Sequence, residues 1–368
     1  MKELRTILDE AARLRDARRP FALATVAKIN GSAYRQPGTR MLVTENGDRY
    51  GTISGGCLEA EVAQRALQVL EVGTPVVEGF DLSDDDLILG FGIGCEGVIH
   101  MLIEPVAAGD EGPLALVRSL LDRRVPGVLA RIIGHPQPAR LGTSLLYDGS
   151  GLSGPLADLE PAALADPIVE DARTVLEEEH TRIQTYGDAE VLLEYLEPPI
   201  HLVVCGGGHD VRPVVRVARE IGWPVTVVGK SAPDKLADTF PEATDHVFLM
   251  NPEEIRDHVR LDAQTPVVVM NHNFERDKTL VRELLQSPAP YIGQLGPSYR
   301  TERLLEELTE AYGALPDADR VHGPVGLDIG TETPQEIALA IAAEIQAELS
   351  GRSAQKLRER EDPIHARV

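Results

Sequence analysis

Lysine is scarce in this chain of 368 residues: six of the 36 basic residues are lysine and the other 30 are arginine, set against 59 carboxylates for a formal charge of −23. Nucleic acid phosphate and anionic lipid both repel such a polyanion, so neither a nucleic acid partner nor a membrane partner is expected. An acid-rich, lysine-poor surface holds water and cations close, which suits a salt-rich cytoplasm and hints at a halophilic source. Cysteine is equally sparse. Cys57, Cys95 and Cys205 lie far apart, with no Cys-x-x-Cys and no Cys/His pair at zinc spacing, so neither a disulfide framework nor a structural zinc site is expected. No apolar run approaches the ~18 residues of a membrane span. Charges interrupt Leu4, Ile7, Leu8, Ala11 and Leu14, where a signal peptide needs a continuous apolar stretch. The expected location is cytoplasmic. At about 150 residues per domain, the length predicts two domains, each able to bury its own core.

What is present is organised by periodicity. The helical spacing of residues 4–14 predicts an opening helix, and FALATVAKI after Pro20 reads as a strand. Asn46-Gly47 between two extended segments predicts a hairpin turn. Leu58, Val62, Ala66, Val69 and Leu70 recur at helical spacing, which sets Ser54-Gly55-Gly56-Cys57 at a helix start. Residues 1–110 therefore read as an amino-terminal α+β domain. Residues 111–198 read as a mixed, β-containing extension ending in the linker Glu197-Pro198-Pro199. Beyond it, the apolar runs HLVVC, PVTVVG, HVFLM, PVVVMN and PYIGQLG alternate with helical segments near 210–221, 252–260, 276–286 and 298–312, and a last helix runs from Pro334 to about Leu349. Short, nearly all-apolar strands between helices mean a parallel sheet covered on both faces. The fold class is α/β, with residues 199–350 forming a doubly wound, Rossmann-like domain and 351–368 a tail that frays or packs on a partner.

In open α/β sheets ligands bind beyond the carboxyl ends of the strands. There the first strand ends in Gly206-Gly207-Gly208-His209-Asp210 and enters a helix, a relaxed form of a pyrophosphate-binding turn; a tight turn used for packing is the alternative. The second strand ends in Gly229-Lys230, without the acidic residue that holds a ribose 2′-hydroxyl, which favours a ligand carrying phosphate there or else a solvated lysine. Asn271-His272-Asn273 and Gly293-Gln294-Leu295-Gly296-Pro297 should face the same crevice. His272 is a candidate for cofactor binding or proton transfer, or a loop hydrogen-bonder. In the first domain, Ser54-Gly55-Gly56-Cys57-Leu58-Glu59 sets backbone N–H groups and a thiol at a helix start, where the dipole stabilises a thiolate; Gly94-Cys95-Glu96-Gly97 repeats the combination. Small buried hydrophobes are the other reading of both cysteines.

Five separated segments resemble one family, the XdhC/CoxI proteins. GSAYRQPGTRMLV with GTISGGCLEAEV is similar to its amino-terminal signature, and GFGIGCEGVIHMLIEP to its second glycine-cysteine motif. VVVMNHNFERD, YIGQLGPSYRTERL and HGPVGLDIGTETPQEIALAIAAEI resemble its carboxy-terminal Rossmann segment. Two departures stand out: Gly229-Lys230 where the family commonly has an acidic residue, and Glu96 where glycine or asparagine is usual.

The resemblance implies an accessory protein that binds a molybdopterin-type molybdenum cofactor, holds it for sulfuration and passes it to an apo molybdenum hydroxylase of the xanthine dehydrogenase type. It implies a homodimer and a cysteine desulfurase as a further partner. Gly31, Ser32, Arg35, Gly38, Arg40, Ser54, Gly55, Gly56, Cys57 and Glu59 match the first motif, Cys95 the second, and Asp328 and Glu336 the last. Cys57 and Cys95 are the expected soft metal ligands, and Arg35 and Arg40 the expected phosphate partners unless they are ordinary surface arginines. Gly206, Gly207, Gly208, His209, Asn271, His272, Gly293, Gly296 and Asp328 are the expected cofactor-binding set of the Rossmann-like domain, with NADP(H) or another nucleotide as its ligand. The competing function is a free-standing NAD(P)-dependent oxidoreductase with His272 as its acid or base.

Overall fold

The computed structural model describes residues 2–31, 35–56, 58–81, 97–155 and 162–360. The chain divides into two compact units, essentially Glu3–Pro198 and Pro199–Ala366.

The first unit opens with α1 (Lys2–Asp16), which buries Ile7, Leu8, Ala11 and Leu14 on one stripe. β1 (Phe21–Gly31), β2 (Arg40–Thr44) and β3 (Arg49–Tyr50) follow, the last two joined through the expected Asn46-Gly47 turn with Gly47 at φ +85°. Then come α2 (Glu59–Val72), β4 (Val76–Asp81) and β5 (Gly97–Val106). These strands pair antiparallel in the order β3-β2-β1-β5-β4. After α3 (Pro113–Arg123), a second antiparallel sheet is built from β6 (Gly127–Gly134), β7 (Ser144–Tyr147), β8 (Leu152–Ser153), β9 (Arg182–Tyr186) and β10 (Ala189–Leu196), with α4 (Ala162–Glu178) inserted before β9. Its order is β8-β7-β6-β10-β9.

Strand alternation explains the layering. Ala22, Ala24 and Val26 of β1 pack beneath Val62, Ala66 and Val69 of α2, while Phe21 and Leu23 pack against Leu129, Leu146 and Leu196 of the second sheet. On that sheet's far face Val128, Ala130 and Ile132 meet Ile168, Ala172 and Val175 of α4. Helix, sheet, sheet and helix thus form four layers. The described residues of segment 111–198 form a regular half of this sandwich, where the sequence pattern reads as mixed.

Two buried arginine–glutamate pairs tie the sheets. Arg131 of β6, fully buried, donates to Glu104 of β5, to Thr25 Oγ1 at 3.1 Å and to Ser144 Oγ at 3.2 Å. Arg40 of β2 donates to Glu194 of β10 at 2.8 Å and to the Gly38 carbonyl at 2.7 Å. Gly38 has φ +91°, and a Cβ there would run into the Glu194 carboxylate, so only glycine fits.

The second unit contains β11 (Leu202–Cys205), α5 (Val211–Glu220), β12 (Val225–Gly229), α6 (Pro233–Thr239), β13 (Asp245–Phe248) and α7 (Ile255–His258). It continues with β14 (Val267–Val269), α8 (Phe274–Leu285), β15 (Ile292–Gln294), α9 (Ser298–Tyr312), β16 (Val321–His322) and α10 (Pro334–Leu349). All six strands are parallel, in the order β13-β12-β11-β14-β15-β16. α5, α6 and α10 cover one face and α7, α8 and α9 the other, the doubly wound arrangement expected. β16 is an addition: two residues are too few to carry a strand pattern. The helix expected at 252–260 begins as a 3₁₀ turn, Pro252–Glu254, and continues as α7 to His258. Among the described residues no helix is long and apolar enough to cross a membrane.

Candidate functional site

The turn that leads into α2 is organised by its own carboxylate. Glu59 Oε1 accepts the N–H groups of Ile53 at 3.1 Å and Ser54 at 3.0 Å, and Oε2 accepts the Gly56 N–H at 2.9 Å and the Ser54 hydroxyl at 2.6 Å. Ser54 Oγ in turn accepts the Leu58 N–H at 2.9 Å. Gly55 and Gly56 take φ values of +86° and +121°, which turn these amides inward. Burial alone would raise the Glu59 pKa; the Ser54 hydroxyl and the converging backbone N–H groups outweigh it and bring the carboxyl down to about 2.

The turn is therefore an anion site, as its glycines predict, but Glu59 fills it. Glu59 holds Gly56 directly and Leu58 through Ser54, and these two residues are the chain neighbours of Cys57. Ser32, Cys57, Cys95 and Glu96 themselves lie outside the described residues. Gly31 ends β1 opposite Gly97 of β5, so the two motifs meet on adjacent strands.

The two arginines part company. Arg35 stands beside the turn, donating to Thr52 Oγ1 and to Glu3 at 2.7 and 2.8 Å, with its side chain 29% exposed. Arg40 is neither a phosphate partner nor a surface residue. Its side chain is 3% exposed and its fork is taken by Glu194, so the sequence expectation for it is corrected.

In the second unit the first-strand loop is shaped by packing. Gly206 is buried, and a Cβ on it would lie 2.7 Å from the Met270 carbonyl oxygen. Gly207 faces open space, and the Gly208 backbone lies against Asp210 Oδ1. Asp210 Oδ2 lies 2.9 Å from His272 Nε2, with His272 held at φ +55°. That contact joins the β11 and β14 loops across the point where strand order reverses, the usual dinucleotide crevice. Asp210, just before α5, makes no side-chain bond to the first N–H groups of that helix, and His209 is exposed. Cys205 is 1% exposed, and burial pushes its thiol up to about 12. In the native protein it should resist alkylation at pH 8 and label only after unfolding in guanidinium, as peptide mass spectrometry would read; labelling of the native protein would contradict this placement.

The open space lies on the other side of His272. A cleft of about 770 Å³ is lined by His272, by Gly296, Tyr299 and Arg300 at the start of α9, and by Val325 and Asp328 before α10, among others. Beneath it Asp277, 1% exposed, accepts from Asn271 Nδ2 at 3.2 Å, Gln294 Nε2 at 3.3 Å and Arg300 Nη2 at 2.6 Å. One buried carboxylate therefore ties the ends of β14, β15 and α9 together. Asn271, expected to contact a ligand, is turned inward to this hub. Gly293 serves packing: a Cβ there would lie 2.6 Å from Val325. Gly296, at φ +138°, keeps clear of the Arg300 side chain.

The cleft's far wall is held by α10. Glu344 accepts from the Tyr291 hydroxyl and from the Gly326 N–H at 2.8 Å. Glu336 closes a capping box with Thr333, its carboxylate accepting the Thr333 N–H at 2.8 Å. His272, Gly296 and Asp328 are thus brought to one cleft, while the β11 loop residues are not. Asp277, Arg300 and Tyr299 carry no signal of their own in the sequence; the nearest cue is their position just past the ends of β14 and β15.

A class follows from these features: a two-unit protein whose antiparallel double-sheet unit is followed in sequence by a doubly wound parallel one, each with a glycine-rich turn set against a carboxylate of its own. Comparison with known proteins narrows it. The family model described as the XdhC Rossmann domain matches residues 202–345, and that of the XdhC and CoxI family matches residues 14–81. A probable xanthine dehydrogenase subunit of Bacillus subtilis is 31% identical over 350 residues, 94% of this chain and 97% of that protein. The molybdenum cofactor insertion chaperone PaoD of Escherichia coli is 23% identical over 93% of this chain and 87% of its own length. A crystal structure of a xanthine dehydrogenase from Bacillus halodurans superposes with a TM-score of 0.76 at 26% identity, covering 97% of this chain and 98% of that one. The chain belongs to the XdhC and CoxI family.

Proposed function

We propose that this protein is an accessory factor that binds a molybdopterin-type molybdenum cofactor, holds it for sulfuration and delivers it to an apo molybdenum hydroxylase of the xanthine dehydrogenase type. The observation that carries the reading is the turn at Ser54–Glu59, whose network fixes both chain neighbours of a cysteine. A thiol at a helix start is a soft donor suited to a molybdenum–dithiolene centre. The turn does not suit the cofactor's phosphate, because Glu59 already takes three of its backbone N–H groups. On this reading the cofactor is held at its metal end by Cys57, with Cys95 as a second soft donor, and its phosphate is placed elsewhere. Arg35, beside the turn, is the nearby cation for it. When bound, the cofactor supplies a molybdenum atom whose terminal oxo group is exchanged for sulfur. The chain's part is to hold, shield and release.

The names of the relatives support the same reading, since one is a molybdenum cofactor insertion chaperone and another is named for a probable xanthine dehydrogenase. A cysteine desulfurase as sulfur donor and a homodimeric state complete the proposal. Expressed in a host that makes molybdopterin, the protein should purify with a fluorescent pterin and molybdenum, and Cys57→Ser or Cys95→Ser should lower both by about tenfold. Wild-type protein that carries no pterin even with excess cofactor supplied contradicts the proposal.

A second reading has one observation in its favour. Asp210 orients His272 at the rim of a ligand-sized cleft, as an acid–base pair in a free-standing NAD(P)-dependent oxidoreductase would be. Turnover of NADPH or NADH with small carbonyls or alcohols separates the two readings.

A further inference from the structure

We propose that the outer face of α10 is a docking surface for a second copy of this chain, met helix to helix and antiparallel about a two-fold axis. The proposal rests on the homodimeric state named above and deepens it by assigning the contact. A helix that is apolar on every side belongs in an interior. The stretch IALAIAA of α10, residues 337–343, holds no charge at all. Ala338, Ile341, Ala342 and Ile345 enter the core of the second unit with Val214, Val215 and Ala218 of α5. The opposite side is uncovered, and Leu339 stands there 54% exposed.

Helical spacing puts Gln335, Leu339, Ala343, Gln346 and Ser350 on that side, Ala343 half-buried and the other four exposed. None of the five is charged, in a chain that carries −23 overall. Two polyanions repel wherever their carboxylates meet, so an uncharged strip about 24 Å long is a surface on which two copies can approach. Glu336, at the edge of the strip, is turned back onto the helix start, where it accepts the Glu332 and Thr333 N–H groups at 3.0 and 2.8 Å.

The two ends of the helix set the direction. Glu332 is exposed just before α10, and Arg352 is exposed just after it, held by its N–H on the Ala347 carbonyl at 2.8 Å. Neither side chain has an ion-pair partner among the described residues. An antiparallel second copy that crosses at Ala343 brings Glu332 to Arg352 of the partner subunit and Gln335 to Ser350 of the partner subunit, each contact made twice by symmetry. A parallel copy would set Glu332 against its own equivalent. Opposite charges at the two ends of an uncharged strip make the face complementary to itself, as a two-fold contact requires, which is why the occupant is a second copy.

Sedimentation equilibrium of the full-length protein is the test, with wild type expected as a dimer at about 10 µM. Leu339→Glu places carboxylates on both sides of the axis and should raise the dimer Kd at least about a hundredfold while the circular dichroism stays that of wild type. Glu332→Arg and Arg352→Glu should each raise it about tenfold at low salt, because each contact occurs twice. An equimolar mixture of those two variants should return to wild-type affinity, since every altered charge then faces its opposite across the axis. If Leu339→Glu loses its circular dichroism, the mixture decides alone. An unchanged Kd in folded Leu339→Glu, or a mixture no tighter than its single variants, would overturn the inference and leave the homodimer to another contact. Wild-type protein that stays monomeric up to about 100 µM would overturn the homodimer as well.

Discussion

Arg131→Met should destabilise the first unit by about 3–5 kcal/mol, read as a shift in the guanidinium midpoint. Arg131 is fully buried between the two sheets, and its partner Glu104 is 8% exposed. With the guanidinium gone, Glu104 keeps a charge in a low-dielectric site, and Thr25 and Ser144 each lose a donor. The origin of the loss is checked by a second change. Arg131→Met combined with Glu104→Gln removes the stranded charge, so the double variant should recover most of the stability lost by the single one. A double variant less stable than Arg131→Met would show that the pair is not coupled.

Glu59→Ala should cost about 2–4 kcal/mol and loosen the turn around Cys57, because four donors lose one shared acceptor. The pH dependence separates this from generic damage. The Glu59 carboxyl sits near 2 in the folded protein against an ordinary value of 4.5. A depressed folded value means that its contribution is complete above pH 4.5 and disappears as pH falls from there towards 2. The difference in unfolding free energy between wild type and Glu59→Ala should therefore be constant near neutrality and shrink across that acid window. A difference independent of pH, or a variant as stable as wild type, contradicts the assigned role. The same variant should lose pterin when purified from a cofactor-producing host, although residue 59 touches no cofactor in this account.

The two units differ in how much the sequence reveals, and the reason is physical. A parallel sheet covered on both faces needs strands that are apolar throughout. VVVM and VTVV therefore announce themselves, and α8 to α10 follow at helical spacing. The double-sheet unit hides its plan, since β6 is buried along nearly its whole length yet carries Arg131 at its middle. That arginine looks like a surface residue until Glu104, 27 positions away, is folded onto it. Arg40 and Glu194, 154 positions apart, mislead in the same way.

At the site, the glycine turns are legible but their occupants are not. Gly55-Gly56 predicts a nest, and nothing in the spacing says that Glu59, three residues beyond Gly56, bends back into it. The triple glycine after β11 predicts a pyrophosphate turn, and nothing in the spacing says that Asp210 at its end meets His272, 62 positions away. Asp277 is one acid among 59 until Asn271, Gln294 and Arg300 converge on it. Long-range pairing, invisible to local pattern, decides these residues.

Handover tests the central claim most directly. Protein purified with its cofactor is mixed with an apo molybdenum hydroxylase of the xanthine dehydrogenase type, and hydroxylase activity is followed against an equal amount of free sulfurated cofactor. The account predicts that the loaded protein activates the apoenzyme to a greater extent than free cofactor does, and that Cys57→Ser protein does not. Activation no greater than that from free cofactor would contradict it.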